Sequence, residues 1–156
     1  FFQFMEKGIQ DEHFWTNQIN TPAINTWQGY AFERVCLEHV KQIKNKLGIS
    51  GVYTEINSCY CKEEKEKGIK GAHIDLLIAR KDQVINLCEM KYSNSEYTLN
   101  GNDDENIRNK IDALIKVTKT KSAIYPTLVT TYGLTDNSYA GNIQSVVTLD
   151  DLFAGG

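Results

Sequence analysis

The sequence predicts an α/β domain with a mixed central β-sheet flanked by helices. Three observations support this fold class: two segments space their apolar residues as helices do, several short segments have strand composition, and the overall composition is globular. The 156 residues are 41% hydrophobic and include only 2 prolines. A chain of this length can bury a core of its own.

The N-terminal segment differs from the rest of the chain. Residues 1–25 show weak periodicity and several turn formers, so we interpret them as a linker or docking segment and residues 26–156 as the domain. The chain starts at Phe1 without a methionine, and we therefore expect it to be one part of a longer protein. No signal peptide and no apolar run near the ~20 residues of a membrane span are visible. The spacing of the cysteines, which suggests no disulfide framework, favours a reducing, cytoplasmic protein.

The first helix is predicted from Trp27 to Leu47. Asn25 or Thr26 would cap its start, and Gly48 would stop it. The apolar positions recur at spacings of three and four, as one face of a helix requires. They are Phe32, Cys36, Val40, Ile43 and Leu47.

Three strands are expected next. The first starts at Gly51 in "GVYTEINS", and residues 58–70 follow as a charged surface loop. The next two form a hairpin, from Ala72 to Ala79 and from Val84 to Tyr92, joined by the turn "RKDQ". Both hairpin strands are apolar on both faces, which is typical of the centre of a sheet.

The second half of the chain predicts a helix and two further strands. The helix runs from about Asn106 to Lys119, with Asp103 or Asp104 as its cap. The strands lie in "SAIYPTLVTTYG" and "IQSVVTLDDLF", and the last leads into a short terminal turn. Strand, helix, strand across residues 84–131 favours a right-handed crossover to a parallel neighbour.

The hairpin contains two acids where central strands usually have none. If its turn centres near Asp82, Asp75 lies directly opposite Glu89, and Lys91 shares a face with Glu89. Like charges in directly opposed positions destabilise a sheet, so the pair needs a shared proton or a compensating cation. A surface hairpin with Lys91 as an ordinary salt-bridge partner is the alternative interpretation.

A divalent metal ion would supply that compensating charge. Carboxylates are the ligands that a hard ion such as Mg²⁺ prefers, and a metal held by two of them keeps positions for water and phosphate oxygen. Lys91 would orient or help to deprotonate the water. The residues themselves therefore predict metal-dependent phosphodiester chemistry at Asp75, Glu89 and Lys91.

These motifs resemble the PD-(D/E)XK nuclease superfamily. Its core is helix, three-stranded meander, helix, strand, with an acid in the second strand and (D/E)–x–K in the third. Asp75 in "HIDLLIAR" and Glu89–Met90–Lys91 in "NLCEMKYS" match in that order. Glu33 in "GYAFERVCLEHV" matches the glutamate that many members add from the first helix. The proline usual before the first acid is Ile74 here.

More narrowly, the chain looks like the nuclease-like C-terminal domain of certain prokaryotic AAA-type ATPases. The shared pattern combines W–x–G–x–x–FE with "IDLLI" and "EMKYS", and Trp27, Gly29, Phe32 and Glu33 supply its first part. The resemblance implies an ATPase partner that is covalently linked or associated. The chain itself has no GxxxxGK[ST] loop and is not expected to hydrolyse ATP.

The resemblance implies a restriction-endonuclease-like core and Mg²⁺- or Mn²⁺-dependent hydrolysis of DNA. Asp75 and Glu89 would bind the metal together with the Met90 carbonyl, and Glu33 would complete the site. Lys91 would orient the attacking water. Because fold does not establish activity, a module with the same fold that docks on nucleic acid or on the ATPase without cleaving is the alternative.

The charge balance excludes a generally basic nucleic-acid binder. Seventeen basic residues stand against 20 acidic ones, for a net charge of −3, so any contact with phosphates would use a local patch. Lys119 and Lys121 are the candidates for phosphate-backbone contact. Tyrosines at positions 92, 97 and 132 are candidates for base stacking, although structural tyrosines are more frequent.

The cysteines favour a reducing compartment. Their spacing gives no disulfide framework, and Cys36 and Cys88 lie in core-type patterns. Cys59 and Cys61 with His73 downstream offer a weaker alternative, a structural zinc site that recruits further cysteines. Stoichiometric, tightly held zinc in the purified protein would support that alternative.

Overall fold

The computed structural model describes residues 22–155. Within this range the molecule is a five-stranded mixed sheet with the strand order β1-β2-β3-β4-β5 and helices packed against it. The predicted α/β class is therefore confirmed. The strands are β1 Thr54–Cys61, β2 Ala72–Arg80, β3 Val84–Lys91, β4 Ala123–Thr130 and β5 Ser145–Thr148.

Four α-helices accompany the described strands. They are α1 Pro22–Glu38, α2 Val40–Lys46, α3 Gly101–Thr118 and α4 Leu149–Phe153, with short 3₁₀ turns at Lys65–Lys67 and Ala140–Asn142. Between residues 22 and 155, none of the helices has the length and hydropathy to cross a membrane. Most of the predicted linker, residues 1–21, lies outside the described residues, and residues 22–25 belong to α1.

The hairpin is confirmed in position, and its paired residues have the predicted register, but Asp75 and Glu89 do not themselves form a pair of the ladder. β2 and β3 pair antiparallel from Leu76 opposite Cys88 to Arg80 opposite Val84. Gln83 closes the turn with a φ of 68°. Beyond α3 the chain returns as β4, which pairs parallel with β3, as the strand–helix–strand order predicts. The site-bearing strands thus occupy the middle of the sheet.

The β1–β2 ladder contains an irregularity next to Asp75. Asn57 pairs with Leu77, but Cys59 pairs with Ile74, so Asp75 and Leu76 together lie opposite Ser58. Two residues opposite one is the arrangement of a β-bulge, which bends the strand and redirects side chains. The bulge interrupts the β1–β2 ladder at the acid that the sequence singles out, and pairing resumes at Ile74.

The prediction of a single helix from Trp27 to Leu47 is wrong, because the helix is interrupted at His39. His39 adopts φ −120° and ψ 30°, and its Nδ1 lies 2.7 Å from the carbonyl oxygen of Val35. The predicted cap at residues 25 or 26 is also wrong, since both lie inside α1. Gly48, with φ 72°, follows the end of α2 as expected.

Three other boundaries differ from the prediction. The cap of α3 is Asn100, and Asp103 acts as the third helical residue of a capping box rather than as the cap. β1 begins at Thr54 and continues to Cys61, so residues 58–61 form strand instead of loop because they pair with β2. The last predicted strand is four residues of β5 followed by α4.

The core lies on both faces of the sheet. On one face Phe32 and Cys36 of α1 pack with Leu76, Cys88 and Met90 of the central strands. On the other, α3 covers a second cluster of buried residues, which consists of Ile74, Leu77, Leu87 and Leu114. The central strands are thereby covered on both sides, as their continuous apolar sequence predicts.

Candidate metal centre

The candidate site begins where β2 and β3 separate. Their last paired residues are Leu76 and Cys88, and Asp75 and Glu89 each lie one residue further along. From there β2 pairs, among the described strands, only with β1, while β3 continues along β4 to Lys91. Asp75 and Glu89 thus lie where β2 and β3 separate, just beyond the last pair of the regular β2–β3 ladder.

Glu89 is held by two lysines. The Lys110 Nζ of α3 lies 3.0 Å and 2.7 Å from the two carboxylate oxygens, and both side chains are mostly buried. Lys91 Nζ is 3.6 Å from Glu89 Oε1. The carboxylate predicted as a metal ligand is therefore already paired with an ammonium group.

Asp75 has a different partner. Its Oδ1 lies 3.4 Å from Nε2 of His73, two residues earlier on the same strand. The His73 ring in turn packs edge-on against the ring of Tyr60, with 6.2 Å between centroids. No ion pair joins Asp75 to a lysine within residues 22–155, and a third of its side chain is exposed.

Glu33 of α1 joins the two acids electrostatically. Burial raises its pKa, and the negative charges of Asp75 and Glu89 raise it further, while His73 and Lys110 act in the opposite direction. Charges perturb a pKa in this way only when they are near. Three carboxylates from α1, β2 and β3 therefore lie within electrostatic reach of one another.

A fourth acid, Asp103, extends the cluster along α3. Its carboxylate accepts hydrogen bonds from the Tyr97 hydroxyl at 3.1 Å and lies 3.9 Å from Lys91 Nζ. Burial, and then the charge of Asp103, raises the pKa of Tyr97 to about 12, so Tyr97 remains a donor at neutral pH. Asp103 thus anchors one side of Lys91.

An open cleft of about 420 Å³ gives access to this cluster. Its lining includes residues from both α1 and β3, which places Glu33 and Lys91 in the same cleft. The lining residues are Asn25, Gly29, Glu33, Met90, Lys91, Tyr92, Ser93 and Asn94. Met90, whose backbone carbonyl is a predicted ligand, also lines this cleft, and its side chain is buried in the core.

The chemistry of the donors fits a divalent cation. The cluster contains four carboxylates but only the two ammonium groups of Lys91 and Lys110 among the described residues, so it carries an excess of negative charge when His73 is neutral. Carboxylate oxygens are the ligands of hard cations. Within residues 22–155, however, no group of three or more His, Cys, Asp or Glu side chains is arranged to hold a metal. The ammonium charge of Lys110 would oppose a cation at Glu89.

The predicted phosphate contacts, Lys119 and Lys121, lie elsewhere. They flank the C-terminal end of α3, just before β4 enters the sheet opposite Val84. Glu89 lies five residues further along β3, roughly 16 Å away at 3.3 Å per residue. Both lysines are exposed, but the structure does not bring them to the acidic cluster.

Among the described residues, no set of side chains is arranged to hold the zinc ion of the alternative prediction. Cys59 and Cys61 lie close together, but His73 pairs with Asp75 instead. Cys36 and Cys88 are buried among apolar side chains of the core, and burial raises the pKa of each thiol to about 12.

The pairing of Lys110 with Glu89 is the feature of the site that sequence reasoning missed. The position of Lys110 on α3 carried a signal, because Asp103, Ile107, Lys110 and Leu114 recur at helical spacing on one stripe. Ile107 and Leu114 are buried. A lysine and an acid on the stripe that faces a sheet indicate a polar site beneath the helix, whereas exposed lysines such as Lys119 carry no such indication.

Comparison with known proteins places the chain in a family. A family model described as archaeal and bacterial proteins of unknown function, DUF234, matches residues 2–107. Searches of curated proteins and of solved structures gave no match. The matched range covers more than half of the chain and includes Glu33, Asp75, Glu89 and Lys91. The chain belongs to the DUF234 family of archaeal and bacterial proteins.

Proposed function

We propose that this protein is a metal-dependent nuclease domain of the PD-(D/E)XK type that hydrolyses phosphodiester bonds of DNA. One observation carries the proposal: carboxylates from α1, β2 and β3 gather beside the lysine of a Glu–x–Lys sequence at the point where the central strands separate. Structural ion pairs also perturb pKa values, but here the raised pKa of Glu33 coincides with an open cleft.

The residues divide into ligands and positioning groups. Asp75, Glu89 and the Met90 carbonyl would hold Mg²⁺ or Mn²⁺, with Glu33 completing the set. A bound divalent ion supplies charge stabilisation for a phosphate and acidifies its water. Lys91, held between Glu89 and Asp103, would orient that water against the phosphate. Tyr97 keeps Asp103 in place by donating its hydroxyl hydrogen.

The wider context is also part of the proposal. We infer a prokaryotic, cytoplasmic protein that works with a linked or associated AAA-type ATPase, on the strength of the sequence resemblance alone. The chain has no phosphate-binding loop of its own, which is compatible with a separate ATPase part. Its net charge of −3 implies that DNA contact depends on the metal and on local lysines.

The activity is tested by nicking of supercoiled plasmid in Mg²⁺ or Mn²⁺. Wild-type protein is expected to nick, whereas Asp75→Ala and Lys91→Ala are expected to lose the activity, and chelation abolishes it. Asp112→Ala and Lys116→Ala remove a matched acid–lysine pair on the exposed side of α3 and should nick normally. Nicking that persists in both site variants would mean a contaminating nuclease.

A binding module without catalysis is the second candidate. The observation that favours it is the Lys110–Glu89 pair, which neutralises a proposed ligand and leaves no preformed metal site in residues 22–155. Such a module would bind DNA or its ATPase partner without cleaving. The absence of nicking by wild-type protein, combined with a DNA mobility shift that Asp75→Ala leaves unchanged, would favour the binding module.

A further inference from the structure

Two of the described cysteines lie side by side on the edge strand β1. The Sγ atoms of Cys59 and Cys61 are 3.2 Å apart, and both thiols are free. Residues at i and i+2 of a strand point to the same side. Cys36 and Cys88, in contrast, are buried in the opposite core cluster and serve as internal references.

We propose that Cys59 and Cys61 are a reversible oxidation site, which closes an intrachain disulfide by exchange with a small-molecule disulfide such as glutathione disulfide. The proposal does not depend on the nuclease assignment. It rests on the adjacency of the thiols, on their unequal exposure and on their place at the edge of the sheet.

The backbone permits the bond near the limit of disulfide geometry. Strand residues two apart have Cα atoms about 6.6–6.8 Å apart, whereas disulfides usually span about 4.4–6.8 Å. The sulfurs must approach from 3.2 Å to about 2.05 Å. Because β1 pairs only with β2 in the part of the chain that the structure describes, it can pucker without disturbing a second described ladder. A bond closed near this limit is strained and is therefore readily reduced.

The two thiols differ in access, which sets the order of events. Cys59 is half-buried and lines an open cleft of about 470 Å³ between β1 and α3. Cys61 is 1% exposed. Burial, and then the contact with Cys59, raises the pKa of Cys61 to about 11. Cys59 therefore meets the small molecule first, and Cys61 reacts only with a sulfur already beside it.

The exchange balances in two displacements. The Cys59 thiolate attacks one sulfur of the small disulfide, which forms a mixed disulfide and releases one thiolate. That thiolate or solvent takes the proton of Cys61, whose sulfur attacks Cys59 Sγ and expels the second thiolate. The protein loses two electrons and two protons, and the small disulfide becomes two thiols.

The bond would form beside the proposed metal centre. Cys59 pairs with Ile74 and Cys61 with Ala72 on β2, on either side of His73. Asp75 follows directly after Ile74 in the bulge. Puckering of β1 would therefore act on the segment that carries these side chains.

The test is equilibration of the intact chain in glutathione buffers of graded composition, followed by alkylation, intact mass and peptide mapping. Wild-type protein is expected to lose two free thiols and the mass of two hydrogen atoms, with Cys59 and Cys61 in one cross-linked peptide. Cys61→Ser should stop at a glutathione adduct on Cys59, and Cys59→Ser should form neither product. Circular dichroism verifies that each variant is folded.

Two results would overturn the proposal. One is a wild-type chain that keeps all four thiols at every buffer ratio, or that pairs Cys36 with Cys88 instead. The other is a wild-type chain that retains as much glutathione adduct as Cys61→Ser does. The first result needs no variant, so a folding defect cannot obscure it, and neither involves nuclease activity.

Discussion

At the scale of single residues, the ammonium group of Lys110 determines how the Glu89 carboxylate of the candidate site is paired. It contacts both carboxylate oxygens of Glu89, at 3.0 Å and 2.7 Å. A metal ion bound to the same carboxylate would be repelled by the positive charge of this ammonium group at short range. Lys110 therefore competes with any cation that Glu89 would bind.

Lys110→Met should strengthen binding of Mn²⁺. Removing one positive charge at contact distance contributes on the order of 1.4 kcal/mol, or roughly tenfold in affinity. Free Mn²⁺ measured by electron paramagnetic resonance gives the dissociation constant. Lys116→Met is the matched control, because Lys116 lies on the same helix but pairs with the exposed Asp112. Equal affinities of wild type and Lys110→Met would contradict the competition.

The raised pKa of Glu33 predicts a specific pH dependence. Burial, then Asp75 and Glu89, keep the proton on Glu33 to a higher pH than the ordinary value of 4.5. Below that value Glu33 is protonated in both the folded and the unfolded state, so its ionisation does not lower the free energy of unfolding. As the pH rises through the folded pKa, the folded state must ionise Glu33 and stability is lost.

Glu33→Gln should therefore gain stability relative to wild type as the pH rises above 4.5, and the gain should level off once Glu33 is ionised in both states. Urea unfolding at a series of pH values without divalent ions measures this difference. Glu55→Gln, at an exposed position of β1, is the control. A Glu33→Gln advantage that shrinks with rising pH would have the wrong sign and would refute the account.

At the scale of secondary-structure elements, α3 carries the groups that complete the site. It begins with a capping box, in which the Asn100 side chain accepts from the Asp103 N–H and the Asp103 carboxylate accepts from the Asn100 N–H. Lys110 lies two turns further along. The start of the helix is therefore fixed by the same aspartate that contacts Lys91.

Asn100→Ala should destabilise the protein by about 1 kcal/mol, since it leaves an N-terminal amide of α3 without its acceptor. Urea unfolding at neutral pH gives the free energy of unfolding. Asn106→Ala changes an exposed asparagine inside the same helix and should have little effect or a slight stabilising one. A loss of the same size in both variants would mean that the cap is not responsible.

The secondary-structure elements differ in how accurately the sequence predicted their bounds. Apolar residues in both hairpin strands located β2 and β3, and the short polar turn between them set their pairing to within a residue. The break at His39 was missed, since residues 27–47 keep helical spacing across it. The strand from Ser58 to Cys61 was missed because its polar residues depend on pairing with β2.

At the scale of the whole molecule, the candidate site joins elements that are distant in sequence. Asp75, Glu89 and Lys91 were predictable because one hairpin carries them. The pairing of Lys110 with Glu89 depends on how α3 is rotated over the sheet, which the spacing within the helix does not specify. Glu33 was identified through the resemblance, and its electrostatic link to the other acids became visible only in the folded chain.

Metal binding at such a site should stabilise the entire fold. A ligand that binds only the folded state at about 100 times its dissociation constant adds ~2.7 kcal/mol, which raises the unfolding midpoint of a chain of this size by several degrees, roughly 5–10 °C. Thermal scans with and without Mn²⁺ measure the shift. Glu89→Gln should lose most of this shift, whereas Glu55→Gln should keep all of it. A similar shift in wild type and in both variants would indicate non-specific binding.

The central claim is that one divalent cation binds between Asp75 and Glu89. Crystals soaked in Mn²⁺ and measured for anomalous scattering test it most directly. The account predicts one strong peak within roughly 2.0–2.4 Å of a carboxylate oxygen of each residue, with the Lys110 ammonium withdrawn from Glu89. No peak in the cleft, or a peak that only one of the two carboxylates contacts, would contradict it.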